Sequence, residues 1–323
     1  MRLLVTGGAG FIGSHYVRTA LTTAADVTEL VVLDRFTYAG NPENLAPVAA
    51  DPRLRVVRAD VADPAAVDPL VAAADVVVHF AAETHVDRSI EGAAGFVRTN
   101  VVGTQVLLDA ALRHGVGKFV NVSTDEVYGS LETGSWTEDH PLEPNSPYSA
   151  SKASADLLVR AYGRTHGLPV CTTRCSNNYG PYQFPEKVVP LFVTSLLDGG
   201  TVPLYGEGAN VRDWLHVDDH CRGIDLVVRG GRPGEVYNIG GGTELTNRQL
   251  TERLLAAVGA DWSRVRHVPD RPGHDLRYSV DTTKIRTELG YAPVHDLDAG
   301  LAETVEWYRT HEHWWRPLLA TRP

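Results

Sequence analysis

The chain has 323 residues, 30 of them Gly and 19 Pro, with a hydrophobic fraction of 43% and a charged fraction of 22%, which excludes a low-complexity or disordered chain. At roughly 150 residues per domain this length suits two domains. The formal charge of −10 excludes broad nonspecific nucleic-acid binding, though not a local phosphate pocket.

Met1–Gly7 is apolar for only a few residues and reads as a first strand rather than a secretory signal. Further along, Leu3–Thr6, Leu30–Asp34, Leu54–Ala59, Val76–Ala81 and Lys118–Ser123 read as strands. Between them Ile12–Thr22, Pro64–Ala74 and Asn100–His114 read as helices. Apolar strands alternating with helices predict parallel pairing in a doubly wound α/β layer. Tyr148–His166 continues as a helix and Pro169–Arg174 as a strand.

The composition then changes. Asn177–Pro190 is rich in Asn, Tyr, Pro and Gly, and a second, smaller lobe is expected from near residue 176. The expected division is 1–175 for the first domain and 176–323 mainly for the second, with about 235–260 returning to the first. Thr246–Val258 reads as a helix with Thr246 as N-cap and Gly259 as its stop. Leu297–Arg309 is helical and then breaks into the aromatic tail His311–Trp315. His311, Glu312 and His313 read as an exposed polar end. Cys171, Cys175 and Cys221 form no C-x-x-C pair. No metal site is expected from these residues, and a reducing compartment is. No apolar run approaches the roughly 18 residues of a membrane span, so no membrane partner and a cytoplasmic location are expected.

Two constellations carry chemistry. Directly after the first strand, Thr6–Gly13 places glycines at 7, 10 and 13, and Phe11 and Ile12 open the following helix. A turn without side chains lets a pyrophosphate approach backbone amides and the positive end of the helix. Asp34 ends the second strand, where a carboxylate accepts ribose hydroxyls and repels a 2′-phosphate. NAD is therefore expected over NADP, although Arg35 weakens that preference. Asp60 either meets the adenine edge or is simply solvated. Ala81 and Ala82 leave room for a flat cofactor.

The second constellation is Ser123-Thr124-Asp125-Glu126-Val127-Tyr128, followed by Tyr148-Ser149-Ala150-Ser151-Lys152. Tyr148 and Lys152 are four apart and share a helix face. A nearby ammonium lowers a phenol's pKa from about 10. Tyr148 can then take a hydroxyl proton while the same carbon gives hydride to NAD, with Thr124 holding that hydroxyl. His79, inside an apolar strand, reads as structural.

These motifs resemble the extended short-chain dehydrogenase/reductase superfamily. More narrowly, they are similar to the nucleoside-diphosphate-glucose 4,6-dehydratases that act on dTDP-glucose. The resemblance spans essentially the whole chain and also rests on Phe80–Ser89, Arg174–Lys187, Tyr205–Asp219 and Asp270–Asp275. It implies a Rossmann-type sheet with a smaller C-terminal substrate-binding lobe. It further implies NAD-dependent oxidation at sugar C4, elimination of water across C5–C6, and hydride return to C6. In that scheme Glu126 is the C5 base, and protonated Asp125 is the acid for the C6 hydroxyl. Tyr148 and Lys152 also touch the cofactor.

The same resemblance places Thr84, Asp87, Asn178, Lys187, Arg212, Asn247 and Arg271 along the substrate, with Tyr278 closing over the diphosphate. Arg212 and Arg271 suit phosphate oxygens through their planar forks. Leu276 stands where many relatives carry arginine. A homodimer is implied through helices near 101–115 and 149–165, with Val102, Val106, Leu107, Ala110, Leu157, Leu158 and Ala161 as its seam. Three alternatives remain open from the sequence: a 4-epimerase, a dehydratase for another nucleotide, and a non-catalytic NAD-binding regulator.

Overall fold

The computed structural model describes residues 1–270 and 273–319. Twelve strands occur among them: β1 Arg2–Thr6, β2 Glu29–Asp34, β3 Leu54–Arg58, β4 Val76–His79, β5 Lys118–Thr124, β6 Val170–Cys175, β7 Asn177–Tyr179, β8 Val202–Tyr205, β9 Val211–His216, β10 Val236–Ile239, β11 Glu244–Thr246 and β12 Val265–Val268. Seven of these form one sheet in the order β10-β6-β5-β4-β1-β2-β3. Every pair in it is parallel. β1 and β4 are neighbours from which the chain winds both ways, so a crevice opens at their C-terminal ends.

The helices start and stop where local chemistry dictates. Asp63 caps the helix Pro64–Ala72 by accepting from Ala65 N, and Pro64 sits where no amide partner is lost. Ser146 and Ser149 cap the helix Pro147–His166 reciprocally, and Gly167 ends it in the left-handed region. Thr246 and Gln249 do the same for Asn247–Val258, with Gly259 as the stop. The helix ending at His114 begins as a π-helical stretch, Val97–Gly103.

Apolar faces on either side of the large sheet form two cores, one around Leu3, Val32 and Tyr16 and the other around Leu4, Val77 and Leu107. A third core, around Phe192, Trp214, Leu254, Tyr308 and Trp315, fills the second lobe. There β11, β9 and β7 make a small mixed sheet, and β12 pairs with β8.

Three features differ from the sequence reading. The segment 235–260 divides: β10 joins the large sheet, whereas the helix Asn247–Val258 packs into the third core. The helix Val217–Gly230 lies on the large sheet, because Val217, Cys221, Ile224 and Val227 bury there. The aromatic tail does not break off but folds back as the helix Glu312–Leu319, burying Trp314 and Trp315 while His313 stays exposed. No helix among the described residues is long and apolar enough to cross a membrane.

Candidate functional site

The glycine turn is required by close backbone approach. Gly7 has φ +69°, and a Cβ there would stand 2.6 Å from Ala81 N. A Cβ on Gly13 would stand 2.3 Å from the Gly7 carbonyl oxygen. Gly10 begins the helix Phe11–Thr23 without any side-chain cap, and no acidic side chain occupies its first turn. Gly7, Gly10, Phe11, Ile12 and Gly13 line a cleft at the C-terminal edge of the sheet. A helix start of this kind offers amide donors and a positive dipole end.

Asp34, Asp60, Ala81 and Ala82 line the same cleft. Asp34 accepts from Ala9 N (2.9 Å) and Phe36 N (2.8 Å), and burial pushes its carboxyl up. Asp60 accepts from Ala62 N and lies 3.6 Å from Arg35 and 3.5 Å from Arg98. Arg35 is thus paired with a carboxylate. β4 stops at His79, two residues short of the expected strand, so the two alanines lie in the loop beyond it. His79 is buried between the hydroxyls of Thr6 (2.7 Å) and Thr104 (2.9 Å), and burial takes its pKa to about 3. A neutral, doubly bonded ring is a structural histidine. Anion-binding amides, a carboxylate at the end of β2 and small residues after β4 together fit a dinucleotide.

At the other end of the cleft, β5 runs into a 3-10 turn, Asp125–Tyr128. Thr124 Oγ1 accepts from Glu126 N (3.3 Å) and donates to Asp125 Oδ1 (3.3 Å). Gly129 leaves the turn at φ +92°, where a Cβ would meet the Glu143 carbonyl oxygen at 2.4 Å. Asp125 is 1% exposed, and its Oδ2 has no hydrogen-bond partner among the described residues. Burial, then the charges of Glu126 and Asp213, push its carboxyl well up, which favours its protonated form.

Tyr148 enters the cleft from the first turn of its helix, with its backbone N–H on Ser89 Oγ at 3.1 Å and its phenol bonded to Thr124. Lys152 Nζ donates to the Val122 carbonyl at 2.7 Å. Burial lowers the ammonium's pKa. Burial, then the Glu126 carboxylate, push the Tyr148 phenol well up, against the lowering expected from Lys152.

Of the expected substrate residues, Thr84, Asn178 and Lys187 line this cleft. Lys187 Nζ donates to the Thr84 carbonyl at 2.8 Å, and Asn178 Nδ2 donates to the Ser176 carbonyl at 2.9 Å. Asp87, on the short helix Val86–Glu91, does not join the lining residues. The Arg212 fork is turned onto carbonyl oxygens, with Nη1 on Val211 (2.7 Å) and Nη2 on Asp275 (2.9 Å). Its guanidinium stacks 4.0 Å over the Tyr278 ring, whose hydroxyl donates to Asp275 Oδ2. Arg212 therefore braces the 275–278 segment instead of presenting an open fork. Arg212 and Tyr278 still stand near the reacting carboxylates, since Arg212 opposes the upward shift of Asp125 and Glu126 raises the Tyr278 phenol. Asn247 opens its helix with its backbone N–H on the Asn210 carbonyl. Leu276 is 51% exposed and lies outside the cleft walls. Arg271 lies outside the described residues.

The sequence reading missed a clasp across the cleft mouth. Arg88, on the helix Val86–Glu91, lies 3.7 Å over the Tyr38 ring and donates to Glu186 Oε2 at 2.7 Å, joining that helix to two loops far apart in the chain. The Phe80–Ser89 motif contained Arg88, but nothing local pointed to its partners.

Comparison with known proteins follows this geometry. The family model described as GDP-mannose 4,6 dehydratase matches residues 4–304. The dTDP-glucose 4,6-dehydratase of Streptomyces antibioticus is 65% identical over 322 residues, covering 98% of this chain and 95% of that protein. The solved structure of DesIV, a dTDP-glucose 4,6-dehydratase from Streptomyces venezuelae with NAD bound, superposes with a TM-score of 0.96 at 64% identity, covering 98% of this chain and 100% of that one. The UDP-glucose 4-epimerase of Thermus thermophilus, in complex with NAD, superposes at 0.88 with 33% identity, covering 96% and 100%.

Proposed function

This chain belongs to the GDP-mannose 4,6-dehydratase family, and we propose that within it the protein is an NAD-dependent dTDP-glucose 4,6-dehydratase, a hydro-lyase. The observation that carries this reading is a buried Asp125, its Oδ2 without a hydrogen-bond partner among the described residues, next to Glu126 on a turn whose Thr124 is bonded to Tyr148. An epimerase needs the oxidising residues alone. A non-catalytic NAD binder needs neither pair. The identities of 60–65% to dTDP-glucose 4,6-dehydratases of Streptomyces and Actinoplanes support the nucleotide assignment.

When bound, NAD would supply the acceptor for the C4 hydride and the donor of that hydride to C6, and so would be retained rather than consumed. Asp34 takes the ribose hydroxyls of the cofactor, and the Gly7–Gly13 turn takes its pyrophosphate. Tyr148 Oη, as the phenolate that the Lys152 ammonium and the positive charge of bound NAD would favour, accepts the proton of the C4 hydroxyl while Thr124 Oγ1 holds that hydroxyl in place. Lys152, fixed on the Val122 carbonyl, keeps a positive charge near the phenol. The resulting C4 ketone acidifies C5–H. Glu126 removes that proton, and Asp125 gives its own to the C6 hydroxyl, which leaves as water. Glu126 then returns a proton to C5. Thr84, Asn178 and Lys187 line the sugar-diphosphate end, and Arg212 and Tyr278 stand behind the carboxylates.

The protein works as a cytoplasmic homodimer in this proposal. Val102 and Leu157, on adjacent helices, are 42% and 55% exposed, Ala161 is also exposed, and all three suit a seam. Val106, Leu107 and Ala110 are buried in the chain's own core and take no part. The three cysteines are free and buried, which accords with a reducing compartment. The test is a panel of dTDP-, UDP-, CDP- and GDP-glucose with products identified by mass spectrometry. A 4-keto-6-deoxy product from dTDP-glucose supports the reading, and dTDP-galactose as the sole product overturns it.

A further inference from the structure

The turn that carries Asp125 and Glu126 rests on a buried polar chain. Tyr128 closes the turn, and its hydroxyl accepts from Arg174 Nη1 (2.8 Å) and donates to Asn238 Oδ1 (2.9 Å). Arg174 Nε donates to Asp156 Oδ2 (2.9 Å), and Asn121 Nδ2 donates to Asp156 Oδ1 (2.9 Å). The Tyr128 ring stacks on Trp136 with centroids 5.2 Å apart at 20°, and the Arg174 guanidinium lies 4.8 Å from its centroid. Tyr128, Arg174, Asp156 and Asn238 are all buried. They come from the turn, β6, the helix Pro147–His166 and β10, so four separate elements meet under the carboxylates.

Such a network is weak evidence for stability. Apolar residues of similar volume often replace a buried ion pair at no loss. Bonded from Asn238 through Tyr128 and Arg174 to Asp156, it fixes one geometry instead, with Asn121 Oδ1 the atom of it left without a partner among the described residues. Burial pushes the Tyr128 phenol up to about 12, so it remains a neutral donor and acceptor. Asp156 is also one helical turn beyond Lys152 and favours that lysine's charged form. The same chain therefore reaches both the oxidising pair and the eliminating pair.

We propose that Tyr128 and Arg174 are positioning residues for the elimination step, holding the Asp125–Tyr128 turn so that its two carboxyl groups meet C5 and C6. The proposal rests on the dehydratase reading above. Neither residue lines the cleft. Both act through the turn; the network's reach to Lys152 runs instead through the Arg174–Asp156 ion pair, which Tyr128→Phe leaves in place and Arg174→Lys still supplies with a cation.

The test uses the NAD-loaded full chain. Tyr128→Phe keeps the ring on Trp136 and deletes both hydrogen bonds. Oxidation of dTDP-glucose in a single turnover, read from reduced-nicotinamide absorbance, stays within about twofold of the parent. Elimination slows about tenfold or more, equivalent to ~1.4 kcal/mol. Reduced cofactor consequently builds up at steady state, and kcat falls while KM holds. Arg174→Lys keeps a cation for Asp156 but loses the fork to Tyr128, and it gives the same partition even if Tyr128→Phe does not fold. Unchanged elimination overturns the proposal. So does an equal slowing of both steps with a lowered melting temperature, which marks a merely structural role. A parent chain that makes no 4-keto-6-deoxy product refutes the dehydratase reading itself, independently of the partition.

Discussion

Lys152 Nζ gives a 2.7 Å hydrogen bond to the carbonyl oxygen of Val122, two residues before Thr124 on the same strand. The ammonium is thereby tied to the strand that presents the carboxylate turn. Tyr148, one helical turn earlier, is bonded to Thr124. Tyr148→Phe removes the proton acceptor while leaving this anchor in place. Stopped-flow absorbance is expected to show no reduced nicotinamide on mixing with dTDP-glucose, with kcat down about 10²–10⁴-fold. A transient of normal size would refute the base role.

Glu126→Gln keeps the size of the side chain and removes its basicity. Oxidation is expected to proceed and then stall, so reduced-nicotinamide absorbance persists and no unsaturated or 4-keto-6-deoxy product forms. NAD and substrate affinities remain close to those of the parent. Normal turnover by this variant would remove Glu126 from the mechanism.

In the proposed binding mode Asp34 discriminates between cofactors through its charge at the end of β2. Its two oxygens already hold the Ala9 and Phe36 amides, so the carboxylate is fixed in place. Asp34→Ser is expected to weaken NAD binding by about tenfold, ~1.4 kcal/mol, and to narrow the preference over NADP. Titration of both cofactors checks this. Unchanged affinity for NAD would place the ribose elsewhere.

Burial holds the pKa of His79 and His220 at about 3 and that of His216 at about 4. Their folded values lie below the unfolded value of about 6.5, so the unfolded chain gains protons first as pH falls. The stability they allow is complete above about pH 6.5 and falls toward about pH 4, by at most ~1.4 kcal/mol per pH unit for each histidine. Asp213, raised to about 6 by burial, acts in the opposite sense between its ordinary value of 3.8 and 6. Asp34 and Asp125, also raised by burial, act in the same sense as Asp213, so the histidine contribution is read from the difference between the parent and a histidine variant. From neutral to mildly acidic pH the urea midpoint of the parent is expected to lose ground relative to that of His220→Asn. The same pH dependence in both proteins would contradict the assignment.

The legible parts of this protein were those encoded by local spacing. β1 to β6 are runs flanked by helices, and the glycine turn, the Thr124–Glu126 triplet and the Tyr148/Lys152 pair are each contiguous or one turn apart. β7 and β11 have three residues each, too few for any period to emerge. The fate of the C-terminal tail was hidden because Trp314 Nε1 donates to Asn44 Oδ1, 270 residues away. The Arg212 fork looked open in sequence, since a carbonyl acceptor leaves no mark in residue type. Tyr128 and Arg174 were quoted within motifs, yet their joining depends on β6 lying beside β5 in the folded sheet.

The central claim is that one hydride leaves C4 and returns to C6 around an elimination by Asp125 and Glu126. Turnover of dTDP-glucose carrying deuterium at C4, followed by mass spectrometry and NMR of the product, tests it most directly. The account predicts a product lighter by one water that carries the deuterium at C6. Deuterium retained at C4 with no water lost, or released to solvent, would contradict it.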